Sequence, residues 1–173
     1  MQFYSGFALQ DEEYLFDDFL HSSEYTISGF SYGAIKAFHS AQKMLNMGKR
    51  VDKLQLLSPA FFQTKNDKFK RLQMLAYSKN RPEYMRQFID TCFYPYEKKI
   101  VKLKKSSNSE LDELLNYRWN LGELQKLLDA SIKIEVYLGE KDNIIDIDAA
   151  REFFLQIATV TYIKDANHFL QIN

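Results

Sequence analysis

The chain is poor in several features, and each shortage narrows what the protein can be. Cys92 is its single cysteine, so no disulfide can form within the chain, and a lone cysteine fits a reducing compartment. No run of residues approaches the roughly 18 apolar positions that a membrane-spanning helix needs. The first residues show neither the basic nor the apolar stretch of a signal peptide. These shortages favour a cytoplasmic protein that does not cross a membrane.

The chain as a whole has a net charge of zero at pH 7, but its charged residues are distributed unevenly. Residues 1–64 carry −2 and residues 106–173 carry −6, whereas residues 65–105 hold 12 basic and 4 acidic side chains, a net +8. Such a concentration is typical of a surface that binds an acidic partner, although a well-solvated helical face has the same composition. The neutral total and the lack of any nucleic-acid-binding motif argue against RNA or DNA as that partner.

Strand-like and helical patterns alternate at both ends of the chain. β-Branched and alternating segments predict strands, and apolar residues at helical spacing predict the helices between them. The predicted strands are residues 2–7, 24–28, 53–57, 132–138 and 159–163, and the predicted helices beside them are residues 11–20, 32–47 and 146–157. This alternation predicts an α/β fold, in which a parallel sheet has helices on both faces.

The middle of the chain contains no convincing strand. Its apolar spacing predicts four helices, at residues 66–79, 82–93, 109–118 and 121–129. We therefore expect one domain, with a core made of residues 1–63 and 131–173 and a helical cap inserted at residues 64–130.

A five-residue motif, Gly29-Phe30-Ser31-Tyr32-Gly33, lies between the second predicted strand and the helix that follows. It matches the G-x-S-x-G nucleophile elbow, in which a serine occupies a tight strand-to-helix turn. The flanking glycines let neighbouring backbone pass close to that turn. The Ser31 hydroxyl is then expected above the sheet, with the Tyr32 N–H pointing into the same space. An ordinary glycine-flanked turn is the alternative.

A serine of this kind needs a histidine, which follows it in the chain order serine, acid, histidine. His168 comes five residues after the last predicted strand and is our candidate. His39 lies about 12 Å along the helix axis from Ser31, too far to fold back to the hydroxyl. His21 precedes the serine and is interpreted as structural.

The acid is expected directly after the penultimate strand, where Gly139 is followed by Asp142. Asp142 is our choice. Asp146 and Asp148 suit the first turn of the next helix, and Asp165 could compete because it lies close to His168 in the chain.

A second oxyanion donor is expected in the loop after the first strand. Ser5-Gly6-Phe7 lies there, and the Phe7 N–H is the candidate donor beside that of Tyr32. A glycine turn without a catalytic role is the alternative.

Four motifs, SGF near the N-terminus, GFSYGAIKA, GEKDNIID and KDANHFLQ, resemble the α/β-hydrolase superfamily in type and order. Within it the chain resembles the short pimeloyl-[acyl-carrier protein] methyl ester esterases of biotin synthesis, of the type found in some epsilonproteobacteria. Most superfamily members have two strands before the first loop, which usually reads His-Gly. The resemblance therefore implies a truncated α/β-hydrolase with about five parallel strands.

Several functional expectations follow from this resemblance. Such enzymes hydrolyse the methyl ester at the far end of a pimeloyl chain, leave the thioester to the acyl-carrier protein intact and release methanol. No metal or organic cofactor is implied. The carrier protein is acidic, so we expect it on the basic segment. The candidate contact residues are Lys65, Lys68, Lys70, Arg71, Lys79, Arg81 and Arg86.

Two other functions stay open at this point. A general carboxylesterase or thioesterase with a small substrate would use the same three residues. A catalytically dead hydrolase acting as a binding module is disfavoured because all three are present in order.

Overall fold

The centre of the fold is a five-stranded, wholly parallel sheet, in a computed structural model that describes all residues from 1 to 173. Across the sheet its strands are β1 (Gln2–Tyr4), β3 (Thr26–Phe30), β4 (Lys53–Leu57), β6 (Lys133–Gly139) and β7 (Thr159–Ile163). Their register aligns Ser28 with Gln55 and Gln55 with Glu135. The predicted α/β class and strand number are confirmed.

One face of the sheet is covered by three helices, α1 (Tyr32–Asn46), α5 (Leu121–Asp129) and α6 (Ile147–Leu155). Alternate strand residues such as Leu54 and Val136 point to this face, where they pack with Phe38, Leu127 and Phe154 in one buried cluster. Each such side chain contributes roughly 1.5–3 kcal/mol on burial, so this layer is the main source of stability.

The opposite face has only short helical cover. The helix predicted for residues 11–20 is wrong, because the structure has only a 3₁₀ turn at Glu13–Phe16. The ring centroid of Phe16 lies 4.8 Å from that of Phe30, and the centroid of Phe19 lies 5.5 Å from that of Tyr137, so both rings pack on the sheet here. The C-terminal end of α3 (Arg81–Phe93) covers the rest of this side.

The connection from β1 to β3 has the opposite hand to the other three crossovers. All four connections step in the same direction across the sheet, yet Phe16 and Phe19 lie on the face opposite to α1, α5 and α6. Parallel crossovers are right-handed in about 98% of cases. Burial of these two rings on a face that no long helix covers stabilises the exception.

Within the insertion, α2 (Asp67–Lys79) packs on both α3 and α4 (Asn108–Asn116), and Tyr77 of α2 and Phe88 of α3 contact Phe7, which follows β1. Their N-caps are the side chains of Asn66, Asn80 and Ser107, each of which accepts a backbone N–H of the first turn. Helix α5 packs on α1 and β6 instead. None of the six helices is long and apolar enough to cross a membrane.

A small antiparallel ribbon joins the insertion to the N-terminal loop. Its strands are β2 (Leu9–Gln10) and β5 (Lys102–Leu103), and the Lys104 N–H also donates to the Ala8 carbonyl at 2.8 Å. The sequence did not predict β5, because a two-residue strand depends on its partner rather than on a local pattern.

Candidate active site

Ser31 occupies a strained turn between β3 and α1, with φ 53° and ψ −116°. Positive φ is costly for a residue other than glycine, so the surrounding backbone must hold it. A Cβ atom at Gly29 would overlap the Gly33 carbonyl, and one at Gly33 would overlap the Tyr4 carbonyl. Both glycines of the motif are therefore required by close backbone approach, and the tight elbow geometry is present.

Three side chains form a continuous hydrogen-bonded chain at the carboxyl end of the sheet. The Oγ atom of Ser31 lies 3.0 Å from Nε2 of His168, and Nδ1 of His168 lies 2.6 Å from Oδ2 of Asp142. The histidine and aspartate side chains are completely buried, which strengthens the interaction between them. This arrangement can accept a proton from the serine hydroxyl and stabilise the imidazolium that results.

Asp142 is held by backbone as well as by His168. Its Oδ1 atom accepts the N–H of Ile144 at 2.8 Å and that of Ile145 at 3.3 Å. Gly139, at the end of β6, lies so close to the Asn167 carbonyl that a side chain there would overlap it. These contacts bring the acid loop and the histidine loop together.

The other candidate carboxylates have different partners. Asp165 pairs with Lys141 at 2.7 Å, and this hydrogen bond and charge lower the pKa of the Asp165 carboxyl. Asp146 is the N-cap of α6, where it accepts the N–H of Ala149. Asp148 lies in the first turn of the same helix. None of the three forms a hydrogen bond with the His168 side chain, which bonds to Asp142 and Ser31.

The other two histidines lie away from Ser31. His39 faces Tyr117 at 3.4 Å, and His21 is exposed beside Glu135 at 3.5 Å. Only His168 is brought to the serine.

The two candidate oxyanion donors, the backbone N–H groups of Phe7 and Tyr32, have no hydrogen-bond acceptor within the chain. They follow the ends of the adjacent strands β1 and β3. Contact between Tyr4 and Gly33 holds the two loops against each other. Free N–H groups at a helix N-terminus and in an adjoining loop are suited to binding a negative oxygen.

A cavity of about 300 Å³, with ten hydrophobic side chains among its 15 lining residues, lies between this site and the insertion. Phe7 and Ile144 form the part of its wall nearest to the site, while Ser31 does not line it and is only 3% exposed. The opposite walls come from α2, α3 and α4, through side chains such as Phe69, Phe88 and Leu111.

The predicted basic contact residues divide into two groups. Arg81 lies over the Tyr77 ring and donates to the Ser106 carbonyl, and Arg86 pairs with Glu83 and Asp90. Both arginines are thus engaged within the insertion. The remaining candidates form no ion pair within the chain: Lys65, Lys68, Lys70, Arg71 and Lys79. Of these, Lys65 also lines the cavity.

One buried carboxyl near the site was missed by the sequence reasoning. Glu12 is fully buried and its Oε1 atom accepts the Gly6 N–H at 2.7 Å. Nothing in the pattern Asp11-Glu12-Glu13 distinguishes it from its acidic neighbours. No group of three or more histidine, cysteine, aspartate or glutamate side chains is placed to hold a metal ion.

No protein-family model matches the chain, and no curated protein matches it. Solved structures do. Carboxylesterase CesB from Bacillus subtilis superposes with a TM-score of 0.57 at 15% identity, over 85% of this chain and 54% of that one. Naproxen esterase (carboxylesterase NP) from Bacillus subtilis superposes with a TM-score of 0.53 at 18% identity, over 85% of this chain and 54% of that one. A hydrolase from Oleispira antarctica superposes with a TM-score of 0.60 at 11% identity, over 85% of this chain and 59% of that one.

These similarities define the fold. The chain has the α/β-hydrolase fold in shortened form, since it spans between half and three fifths of the length of these structures.

Proposed function

We propose that the chain is a serine hydrolase of carboxylic esters. The observation that carries this proposal is the hydrogen-bonded chain from Ser31 through His168 to Asp142. A strained elbow serine and two free backbone donors accompany it. This combination supplies a nucleophile, a base with its orienting acid, and a binding site for an oxyanion.

The reaction proceeds through an acyl-enzyme. His168 takes the proton from Ser31 as Oγ attacks the ester carbonyl, and Asp142 stabilises the imidazolium. The N–H groups of Phe7 and Tyr32 bind the negative oxygen of the tetrahedral intermediate. His168 then protonates the departing alkoxide, the C–O bond breaks and the alcohol leaves. Water attacks the acyl-enzyme with the same base, which regenerates Ser31 and releases the acid.

The finer proposal is that the substrate is the methyl ester of pimeloyl-[acyl-carrier protein], so that the products are methanol and pimeloyl-[acyl-carrier protein]. Its support is the resemblance in four motifs, together with an apolar cavity beside the site that suits an alkyl chain.

The exposed face of α2 supports an acidic protein as the carrier of that chain. Lys68, Arg71 and Lys79 are exposed on it at helical spacing. Between them lie Leu72 and Leu75, which are 53% and 59% exposed. Basic side chains around exposed apolar ones are suited to a partner with an acidic surface and a small apolar patch.

Docking of this kind also accounts for the bond that is cut. A thioester is intrinsically easier to attack than a methyl ester, so chemistry alone would favour the wrong bond. A carrier held on α2 sets the distance from its surface to Ser31, and the distal ester is then the group that reaches the nucleophile.

The test is mass spectrometry of the carrier-bound methyl ester after incubation with the enzyme. Loss of the methyl group with an intact thioester is expected. Release of the acyl chain from the carrier would indicate a thioesterase, and turnover of small free esters alone would indicate a general carboxylesterase. Failure of a fluorophosphonate to label Ser31 would indicate a catalytically dead binding module.

A further inference from the structure

The loop that carries the candidate donor Phe7 makes few backbone hydrogen bonds, although the buried Phe7 ring packs against Tyr32, Tyr77 and Phe88. It runs from the end of β1 through Gly6, and Ala8 has a positive φ of 57°. Its backbone contacts are a turn, in which the Leu9 N–H donates to the Gly6 carbonyl, and the bond from Lys104 to Ala8. Packing holds the Phe7 ring, and the direction of the Phe7 N–H depends also on how the neighbouring Gly6 peptide is held.

The Gly6 peptide is held by a buried side chain. Oε1 of Glu12 accepts the Gly6 N–H at 2.7 Å, and Glu12 has no exposed surface. Its second oxygen, Oε2, forms no hydrogen bond. Burial raises the pKa of the Glu12 carboxyl, although the Gly6 N–H, the Ser5 hydroxyl and the charge of Lys104 act in the opposite direction. A carboxyl is costly to bury, and a plain core position has no need of one.

We propose that Glu12 is a positioning residue, whose carboxyl oxygen holds the Gly6 peptide so that the next N–H, that of Phe7, points at the oxyanion. This inference rests on the proposed esterase function. Its consequence is that Glu12 affects the transition state more than substrate binding, because the oxyanion charge develops only after attack. The acceptor oxygen is what matters, and a negative charge on it is not required.

The test compares Glu12→Gln with Glu12→Ala on p-nitrophenyl acetate. Glutamine keeps the acceptor oxygen and the volume, so its kcat should equal or exceed that of the parent. Alanine removes the acceptor, and kcat should fall about 10- to 100-fold with KM changed less than about threefold, a smaller loss than deletion of an oxyanion donor. Asp17→Ala, which removes an exposed carboxylate from the same connection, is the matched control and should behave like the parent.

Hydrogen exchange measures the contact itself. The Gly6 amide should be protected in the parent and in Glu12→Gln, and should exchange faster in Glu12→Ala. The inference is overturned if Glu12→Ala keeps the parent kcat or Gly6 protection, or if Glu12→Gln is as impaired as Glu12→Ala. Absence of any Ser31-dependent turnover in the parent would instead overturn the proposed function, and with it the role of Glu12.

Discussion

The Nδ1 atom of His168 lies 2.6 Å from the Oδ2 atom of Asp142, and no part of either side chain is exposed. A short, water-free contact of this kind fixes which ring nitrogen carries the proton, so that Nε2 faces the Ser31 hydroxyl as an acceptor. The proposed base is therefore oriented before any substrate binds.

Loss of the serine hydroxyl should abolish ester hydrolysis without unfolding the protein. Ser31→Ala removes one small polar group, and His168→Ala should be nearly as damaging because these residues act as a unit. Steady-state kinetics and thermal unfolding check both results. Ser40→Ala, which removes a hydroxyl from the same helix, should leave kcat unchanged. Substantial turnover by Ser31→Ala would contradict a serine mechanism.

Replacing each candidate aspartate by asparagine should show which one orients His168. Asp142→Asn keeps the shape but favours the wrong histidine tautomer, so kcat should fall roughly 10⁴-fold. Asp165→Asn and Asp146→Asn should lose far less, because their carboxylates pair with Lys141 and with the α6 N-terminus. The measurement is kcat for the three variants side by side. A crippled Asp165→Asn beside an active Asp142→Asn would reverse the assignment.

Removal of the unpaired basic side chains of α2 should affect only the carrier-bound substrate. Replacing Lys68, Lys70 and Arg71 together by alanine should weaken kcat/KM on that ester and barely change turnover of p-nitrophenyl acetate, since the triad is untouched. Raised salt should produce the same selective loss in the parent, because ions screen the attraction.

A matched triple variant on other surfaces controls for net charge. Its members are Lys43→Ala, Lys49→Ala and Lys164→Ala. This control should keep full activity on both substrates. Equal losses on both substrates in the α2 variant, or a salt-insensitive rate, would show that α2 is an ordinary solvated helix.

A methyl group at Gly33 should destabilise the fold severely. The new carbon would overlap the Tyr4 carbonyl, so β1 or the start of α1 must move. We expect Gly33→Ala to lose several kcal/mol of unfolding free energy, on the scale of strong overpacking. Gly48→Ala is the control, since Gly48 has φ 66° and open space around it. It should cost only about 1–2 kcal/mol. Urea unfolding measures both, and equal losses would contradict the close approach.

Low pH should reduce the free energy of unfolding, partly through protonation of the Glu135 carboxylate. Burial raises the pKa of this carboxyl, but the ion pair with Lys53 at 2.7 Å, together with hydrogen bonds from Tyr137 and Gln55, outweighs burial and leaves the pKa below its ordinary value. The stabilisation is then present above the unfolded-state pKa of about 4.3 and is lost as pH falls through the lower folded-state value. Urea unfolding of Glu135→Gln should show a weaker dependence on pH below about 4.5 than the parent. Glu24→Gln, at an exposed site, should follow the parent curve.

Local patterns determined much of this protein. The elbow at residues 29–33 was recognisable because its glycines and serine act within one turn, and the strand at residues 53–57 was predicted to the residue because its burial follows from its own composition. The order serine, aspartate, histidine along the chain also selected the three residues that the structure brings together.

Only the tertiary structure decided the conformation of residues 11–20 and the contacts of some basic side chains, because both depend on residues distant in the chain. Residues 11–20 have helical spacing, but only a 3₁₀ turn forms there, and Phe16 and Phe19 pack on the sheet face opposite to α1. Arg81 gives no sign in the sequence of its contact with the Ser106 carbonyl, which lies 25 positions further along the chain.

Glu12 shows the same limit at the candidate site. Its role depends on Gly6, six positions away, and on burial against segments more distant in the chain. The sequence shows an acidic residue at position 12 but not its burial or its contact with the Gly6 N–H.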